Sequence, residues 1–223
     1  MLFQDRTSAG QLLAQDLATY ANRPDVLVLA LPRGGVPIAF EIAKALNVVL
    51  DVLLVRKLGV PSQQELAMGA IASGDVQIVN QDIVRDFNLS EQTIAKVATQ
   101  EFQELKRREQ LYRGNRPFPE LQGKTVILVD DGLATGATML AAIIAVQKQQ
   151  PARIVVAVPV AASPAYEQLA DKVDEMVCLS TPTPFYSVGQ WYERFGQTTD
   201  DEVRDLLRKA TNRHQPLSLG TLS

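Results

Sequence analysis

The chain has 223 residues, 46% of them apolar and 21% charged, which is long enough for one large hydrophobic core. Its net charge of −3 supplies no global field that would draw in nucleic acid or an anionic membrane. One cysteine, Cys178, and one histidine, His214, exclude an intramolecular disulfide and argue against a Cys/His zinc site or a Ser-His-Asp triad.

Thr7 or Ser8 is a candidate cap for a first helix reaching about Tyr20, with Leu12, Leu13, Leu17 and Tyr20 apolar, and Asn22-Arg23-Pro24 ends it. Residues 26–31 read as a buried strand that feeds the turn Pro32-Arg33-Gly34-Gly35. A helix over 36–46 and an apolar strand over 48–55 complete a right-handed βαβ unit. The turn lies where open α/β sheets bind ligands. Its glycines let backbone come close, and Arg33 carries fixed charge. Taken alone, it fits a tight turn as well as an anion site.

Arg56 and Lys57 follow at a strand end, then a polar stretch over 59–69 with no clear period. A hairpin is expected from strands 70–72 and 76–79, and a short helix over 80–87. Ser90 is the candidate cap of a long helix to about Tyr112, with Ile94, Val97, Ala98, Phe102 and Leu105 at helical spacing. Lys106, Arg107 and Arg108 are balanced by Glu101, Glu104 and Glu109, which reads as a solvated face.

The most informative stretch is TVILVDDGLATGATM, residues 125–139. A five-residue apolar strand ends in Asp130 and Asp131, followed by a small-residue loop and a helix from about 136 to 146. Backbone N–H groups at such a helix start, with the positive end of its dipole, favour a phosphate, and Thr135 and Thr138 add hydroxyls. The two carboxylates would repel that phosphate but suit the hydroxyls of an attached sugar. Beyond it, strands are expected over 153–158 and 173–179, with a helix opening at Ser163-Pro164. Phe185, Tyr186, Trp191, Tyr192 and Phe195 then form an aromatic cluster that can seal a core or stack on a planar heterocycle. A last helix is expected over 200–209.

The acidic pair followed by a T-G-x-T loop resembles the phosphoribosyl-diphosphate (PRPP) motif of type I phosphoribosyltransferases, and Pro32-Arg33-Gly34-Gly35 resembles their pyrophosphate loop. The resemblance covers about residues 26–191. It implies an α/β fold with an open, mostly parallel sheet flanked by helices, formed by a single domain over 1–210. The terminal segments would make a small hood, and 211–223 a disordered tail. It also implies displacement of diphosphate from PRPP by a nitrogenous base, a place in nucleotide metabolism, and Mg²⁺ arriving on the diphosphate with no metal site made of protein ligands.

By the same resemblance, Asp130 and Asp131 hold the ribose, and Ala134, Thr135, Gly136, Ala137 and Thr138 hold its 5′-phosphate. Pro32, Arg33, Gly34, Gly35, Arg56 and Lys57 meet the diphosphate, and the Pro32–Arg33 peptide is cis. Residues 59–69 become a flexible closing loop. One departure stands out: Ala134 occupies the place where enzymes for 6-oxopurines carry an aspartate, so Glu65 becomes the candidate proton carrier. The catalytic set is then Glu65, Arg33 and Lys57, with Phe185, Tyr186 and Trp191 at the base. A PRPP-binding regulator without catalysis and an enzyme using PRPP for phosphorolysis or hydrolysis are the alternatives. No nucleic acid or membrane partner is implied, and a homodimer is compatible. No apolar run approaches the roughly 18 residues of a membrane span, and no signal peptide is evident, so the expected compartment is the cytoplasm.

Overall fold

In the computed structural model, which describes residues 1–214 apart from the side chains of Gln64, Glu65 and His214, the strands divide into two sheets. In chain order they are β1 (Val26–Ala30), β2 (Val49–Val52), β3 (Val55–Val60), β4 (Gln63–Ala72), β5 (Val76–Val79), β6 (Thr125–Val129), β7 (Arg153–Val160) and β8 (Glu175–Ser180). The helices are α1 (Arg6–Asp16), α2 (Gly35–Leu46), α3 (Gln81–Asp86), α4 (Glu91–Arg113), α5 (Ala137–Gln147), α6 (Ser163–Ala170) and α7 (Asp200–His214).

The larger sheet is all parallel, in the order β2-β1-β6-β7-β8. β1 and β6 are buried along their whole length, as their unbroken apolar runs require when helices cover both faces. Their register pairs Ala30 with Val129, so both strands end at the same level. The chain leaves β1 toward β2 on one side, while β6 lies on the other. The crevice between their carboxyl ends is therefore the topological switch point, where sheets of this kind take their ligands. One hydrophobic core lies between the sheet and α1, α2 and α7, and a second lies under α5 and α6 on the opposite face.

The observed elements differ from the expected ones in informative ways. Asp5, rather than Thr7 or Ser8, caps α1: its carboxylate accepts from the Ser8 N–H at 2.9 Å, and the Ser8 hydroxyl accepts the Asp5 N–H in return. β2 ends at Val52, although the apolar run continues through Leu53 and Leu54. Both residues stay buried while the chain swings out to β3.

The polar stretch 59–69 is not an irregular loop. It forms much of the β3–β4 hairpin, whose strands turn at Pro61-Ser62. Register shifts on either side of Gly59 break the period-two pattern, so a strand could not be read there. Leu58, Val60 and Met68 are nevertheless buried. β5 completes this antiparallel sheet.

Ser90 caps α4 as expected, accepting from the Thr93 N–H at 3.1 Å. At its other end, the buried Arg113 guanidinium binds Asp51 at 2.9 Å, Glu109 at 2.9 Å and the Val52 carbonyl, tying α4 to the end of β2. Helix α7 runs to His214, past the expected end at Lys209 and into the stretch read as tail; residues 215–223 lie outside the described residues. No helix among the described residues is long and apolar enough to cross a membrane.

Candidate active site

Two strand-to-helix turns open side by side at the switch point, and they are interlocked. A methyl group on Gly34 would lie 2.1 Å from Asp131 Oδ2, and one on Gly35 would lie 2.5 Å from the Val129 carbonyl oxygen. Glycine is needed at both positions because the turn after β1 presses directly on the turn after β6. The Pro32–Arg33 peptide is cis, as the resemblance implied.

The acidic pair is organised before any ligand arrives. Asp130 Oδ1 accepts the Asp131 N–H at 2.8 Å. Asp131 Oδ2 accepts from Arg6 Nε at 2.9 Å and from Arg6 Nη2 at 2.8 Å. Arg6 also donates to the Gly196 carbonyl at 2.7 Å, and its guanidinium lies 4.0 Å from the centre of the Phe195 ring. The Tyr192 hydroxyl donates to the Asp131 carbonyl at 2.7 Å. Desolvation and the neighbouring Asp131 push the Asp130 carboxyl well above the usual carboxylate range. Burial, together with Asp131, likewise pushes up the Tyr192 phenol.

The loop after the pair is pinned at Leu133, whose N–H donates to Val160 and whose carbonyl accepts from Ala162. Gly136 then takes φ +72° and hands the chain to α5, and Thr135 Oγ1 accepts the Ala137 N–H at 3.4 Å. Ala134, Thr135, Ala137 and Thr138 remain exposed, so the α5 N-terminus is open to a ligand.

Cationic side chains gather beside the first turn. Arg33 lies 3.7 Å from Asp200 at the start of α7, and Asp200 also accepts from the Tyr112 hydroxyl at 2.5 Å. Burial and Asp200 push the Tyr112 phenol up to about 12. Arg56 pairs with Glu101 on α4. It lines both a narrow cleft with Pro32 and Thr138 and a wider one of about 820 Å³ on the hairpin side. Lys57 borders only the wider of these two. Glu65 falls within β4, and its side chain lies outside the described residues.

The aromatic cluster divides in two. Tyr192 is buried against Phe3 and Phe195, with ring centroids 5.6 Å and 5.1 Å away. Phe185 and Trp191 are only partly buried, 6.3 Å apart, and Tyr186 is 82% exposed. Val188, between them in sequence, packs so tightly on Gly132 that a methyl group there would lie 2.7 Å from its side chain. The C-terminal segment thus sits directly on the loop that follows the acidic pair.

A family model described as the phosphoribosyl transferase domain matches residues 6–192. The chain belongs to this family. Two curated Mycobacterium tuberculosis proteins, from strains CDC 1551 and H37Rv, each share 46% identity over 209 residues, and each is provisionally named a phosphoribosyl transferase. The match covers 94% of this chain but 47% of each relative, so the chain spans about half the length of the curated relatives it matches. A Thermus thermophilus protein of known crystal structure is 42% identical, with a TM-score of 0.83 over 94% of this chain and 99% of that one. The expected family and fold are both borne out.

Within this phosphoribosyl transferase domain, several site neighbours carry no recognisable signal in the sequence. Arg6 and Asp200 are charges at helix starts, far along the chain from the partners they meet. Tyr192 reads as one more aromatic, although its hydroxyl reaches the acidic pair's backbone. Arg107 and Arg108, read as a solvated face, border a cleft beside Arg33.

Proposed function

We propose that the domain transfers the 5-phosphoribosyl group of PRPP to a nitrogenous base. The observation that carries this reading is the interlock of Gly34 with Asp131. It joins an anion-type turn and a sugar-type carboxylate pair into one wall of the switch-point crevice. In the reaction, a base nitrogen forms a bond to C1 of the ribose as the C1–O bond to diphosphate breaks. The electron pair leaves with diphosphate, and the nitrogen gives up its proton to a carrier.

Asp130 and Asp131 accept from the ribose hydroxyls, and the Ala134–Thr138 backbone with Thr135 and Thr138 binds the 5′-phosphate. Arg33, with the backbone of Pro32, Gly34 and Gly35, holds the diphosphate, supported by Arg56 and Lys57. Phe185, Tyr186 and Trp191 supply aromatic surface for a base, and Glu65 on the β3–β4 hairpin is the proposed proton carrier.

The donor set also bears on magnesium. Among the described residues, no group of three or more His, Cys, Asp or Glu could hold a metal ion. Mg²⁺ usually keeps several waters and binds through one or two carboxylates plus substrate phosphates rather than in an all-protein cage. In this reading the ion comes with the diphosphate and offsets its charge. Catalysis is then chiefly orientation and stabilisation of the leaving group.

The test is diphosphate release from PRPP with Mg²⁺ against a panel of purines and pyrimidines. Release that depends on one class of base is expected. Binding of PRPP with no base-dependent release would overturn the transferase reading.

A further inference from the structure

The cleft beside Arg33 encloses about 340 Å³ and is lined by Pro32, Arg33, Arg107, Arg108, Tyr112 and Asp200. Three of its six lining residues are guanidinium groups, and their counter-charges are few. Arg107 and Arg108 share the single carboxylate of Glu104, at 2.7 Å and 2.8 Å. These two cations hold the Glu104 carboxyl down at about 2. Among the described residues, the ion-pair partner of Arg33 is Asp200, at a long 3.7 Å, and Asp200 Oδ1 also accepts from Tyr112. Glu109, the next acid along α4, is engaged by Arg113.

Arg108 has a second border. It also lines the narrow cleft of about 40 Å³ where Pro32 of the first turn, Arg56 of β3 and Thr138 of the phosphate-type loop meet. A single side chain on α4 therefore reaches the place where both turns converge. A cleft with more guanidinium than carboxylate, bordered by the first turn and sharing Pro32 and Arg108 with the narrow cleft that Thr138 lines, is completed by a polyanion rather than by a base.

We propose that Arg108 of α4 is a diphosphate-binding residue, forming with Arg33 the two sides of the leaving-group site. This rests on the phosphoribosyltransferase reading and extends it to a helix whose basic run looks, in sequence, like solvated surface. Arg108 exchanges its shared Glu104 carboxylate for phosphate oxygens when the ligand arrives. Arg33 exchanges Asp200 in the same way. Because the bond to diphosphate breaks in the reaction, a cation here stabilises charge that grows as the leaving group departs.

The experiment is calorimetry of the intact chain with three probes: Mg²⁺-PRPP, inorganic diphosphate and ribose 5-phosphate. Arg108→Gln should weaken PRPP and diphosphate by about tenfold or more, the scale of one lost charge-assisted hydrogen bond, and leave ribose 5-phosphate almost unchanged. The Arg108 side chain is 42% exposed, so the substitution leaves the core intact. Glu104→Gln, which frees both arginines from their shared counter-charge, should instead tighten diphosphate. Unchanged diphosphate affinity in Arg108→Gln while wild-type protein binds PRPP would overturn this inference and leave the phosphoribosyltransferase reading standing. An equal loss for ribose 5-phosphate would place Arg108 at the other phosphate and also overturn it. Arg108-dependent binding of diphosphate with no PRPP binding at all would support the site and sink the larger reading.

Discussion

Arg6 Nη2 lies 2.8 Å from Asp131 Oδ2, joining side chains 125 positions apart. Both are largely shielded, at 12% and 17% side-chain exposure, and Arg6 Nε reaches the same oxygen at 2.9 Å. The first helix of the chain is thereby fixed to the acidic pair. Arg6→Ala should cost about 1–3 kcal/mol of stability, as expected when a charged hydrogen-bond partner is lost. It should also weaken PRPP by about tenfold, because Asp131 loses the contact that aims it. Arg6→Lys should fall between the two, since an ammonium supplies a point charge without the planar fork. Denaturant unfolding and calorimetry check both effects. Wild-type values for both in Arg6→Ala would show that the contact positions nothing.

Gly34 makes a sharper demand. Its missing methyl group is the space that Asp131 Oδ2 fills. Gly34→Ala should displace that carboxylate from Arg6, costing about 1–3 kcal/mol through overpacking. PRPP affinity should fall at least as far as in Arg6→Ala. A crystal structure of the variant with the Arg6–Asp131 contact unmoved would contradict the interlock.

The raised Asp130 carboxyl gives a pH dependence of definite sign. Below the ordinary value of 3.8 the group is protonated both folded and unfolded. As pH rises above 3.8, the unfolded chain releases its proton first and the folded chain holds on. The native state then binds more protons, so stability falls with rising pH, by at most about 1.4 kcal/mol per pH unit, until the folded carboxyl ionises. Asp130→Asn cannot titrate, so its stability relative to wild type should climb across that window. PRPP affinity of the wild type should rise only at the upper end of that window, as the folded carboxyl itself ionises, because the ionised carboxylate is the better acceptor for ribose hydroxyls. Parallel pH-stability curves for the two proteins would refute this account of Asp130.

Glu65, the proposed proton carrier, lies on the β3–β4 hairpin, and Ala134 places no carboxyl at that loop position. Glu65→Gln should lower kcat by about 10²-fold, within the range of a lost general acid or base, while PRPP affinity stays near wild type. Steady-state kinetics on the accepted base decide the matter. Full turnover in the variant would assign the proton to another group.

The central strands and both turns were legible in the sequence for a physical reason. A strand buried on two faces must be apolar throughout, and a backbone that approaches a ligand or a neighbouring turn needs glycine. Val26–Ala30 and Thr125–Val129 satisfy the first condition, and Gly34 and Gly35 the second. The same logic misled where burial outlasts the strand: Leu53 and Leu54 look like more of β2 but bury themselves at a bend. The hairpin was hidden because shifts around Gly59 put its buried residues out of step. Arg6 and Asp200 were illegible for a different reason. Each acts through a partner on another element, and an isolated charge on a helix carries no periodic mark of what it will face.

The most direct test of the central claim is PRPP binding by the Asp130→Asn/Asp131→Asn double variant. If the pair accepts the ribose hydroxyls, calorimetry should find PRPP affinity lost, while inorganic diphosphate, held by Arg33 and its turn, still binds. Circular dichroism should show the double variant folded. Undiminished PRPP affinity in that folded protein would contradict the assignment of this crevice as a phosphoribosyl site.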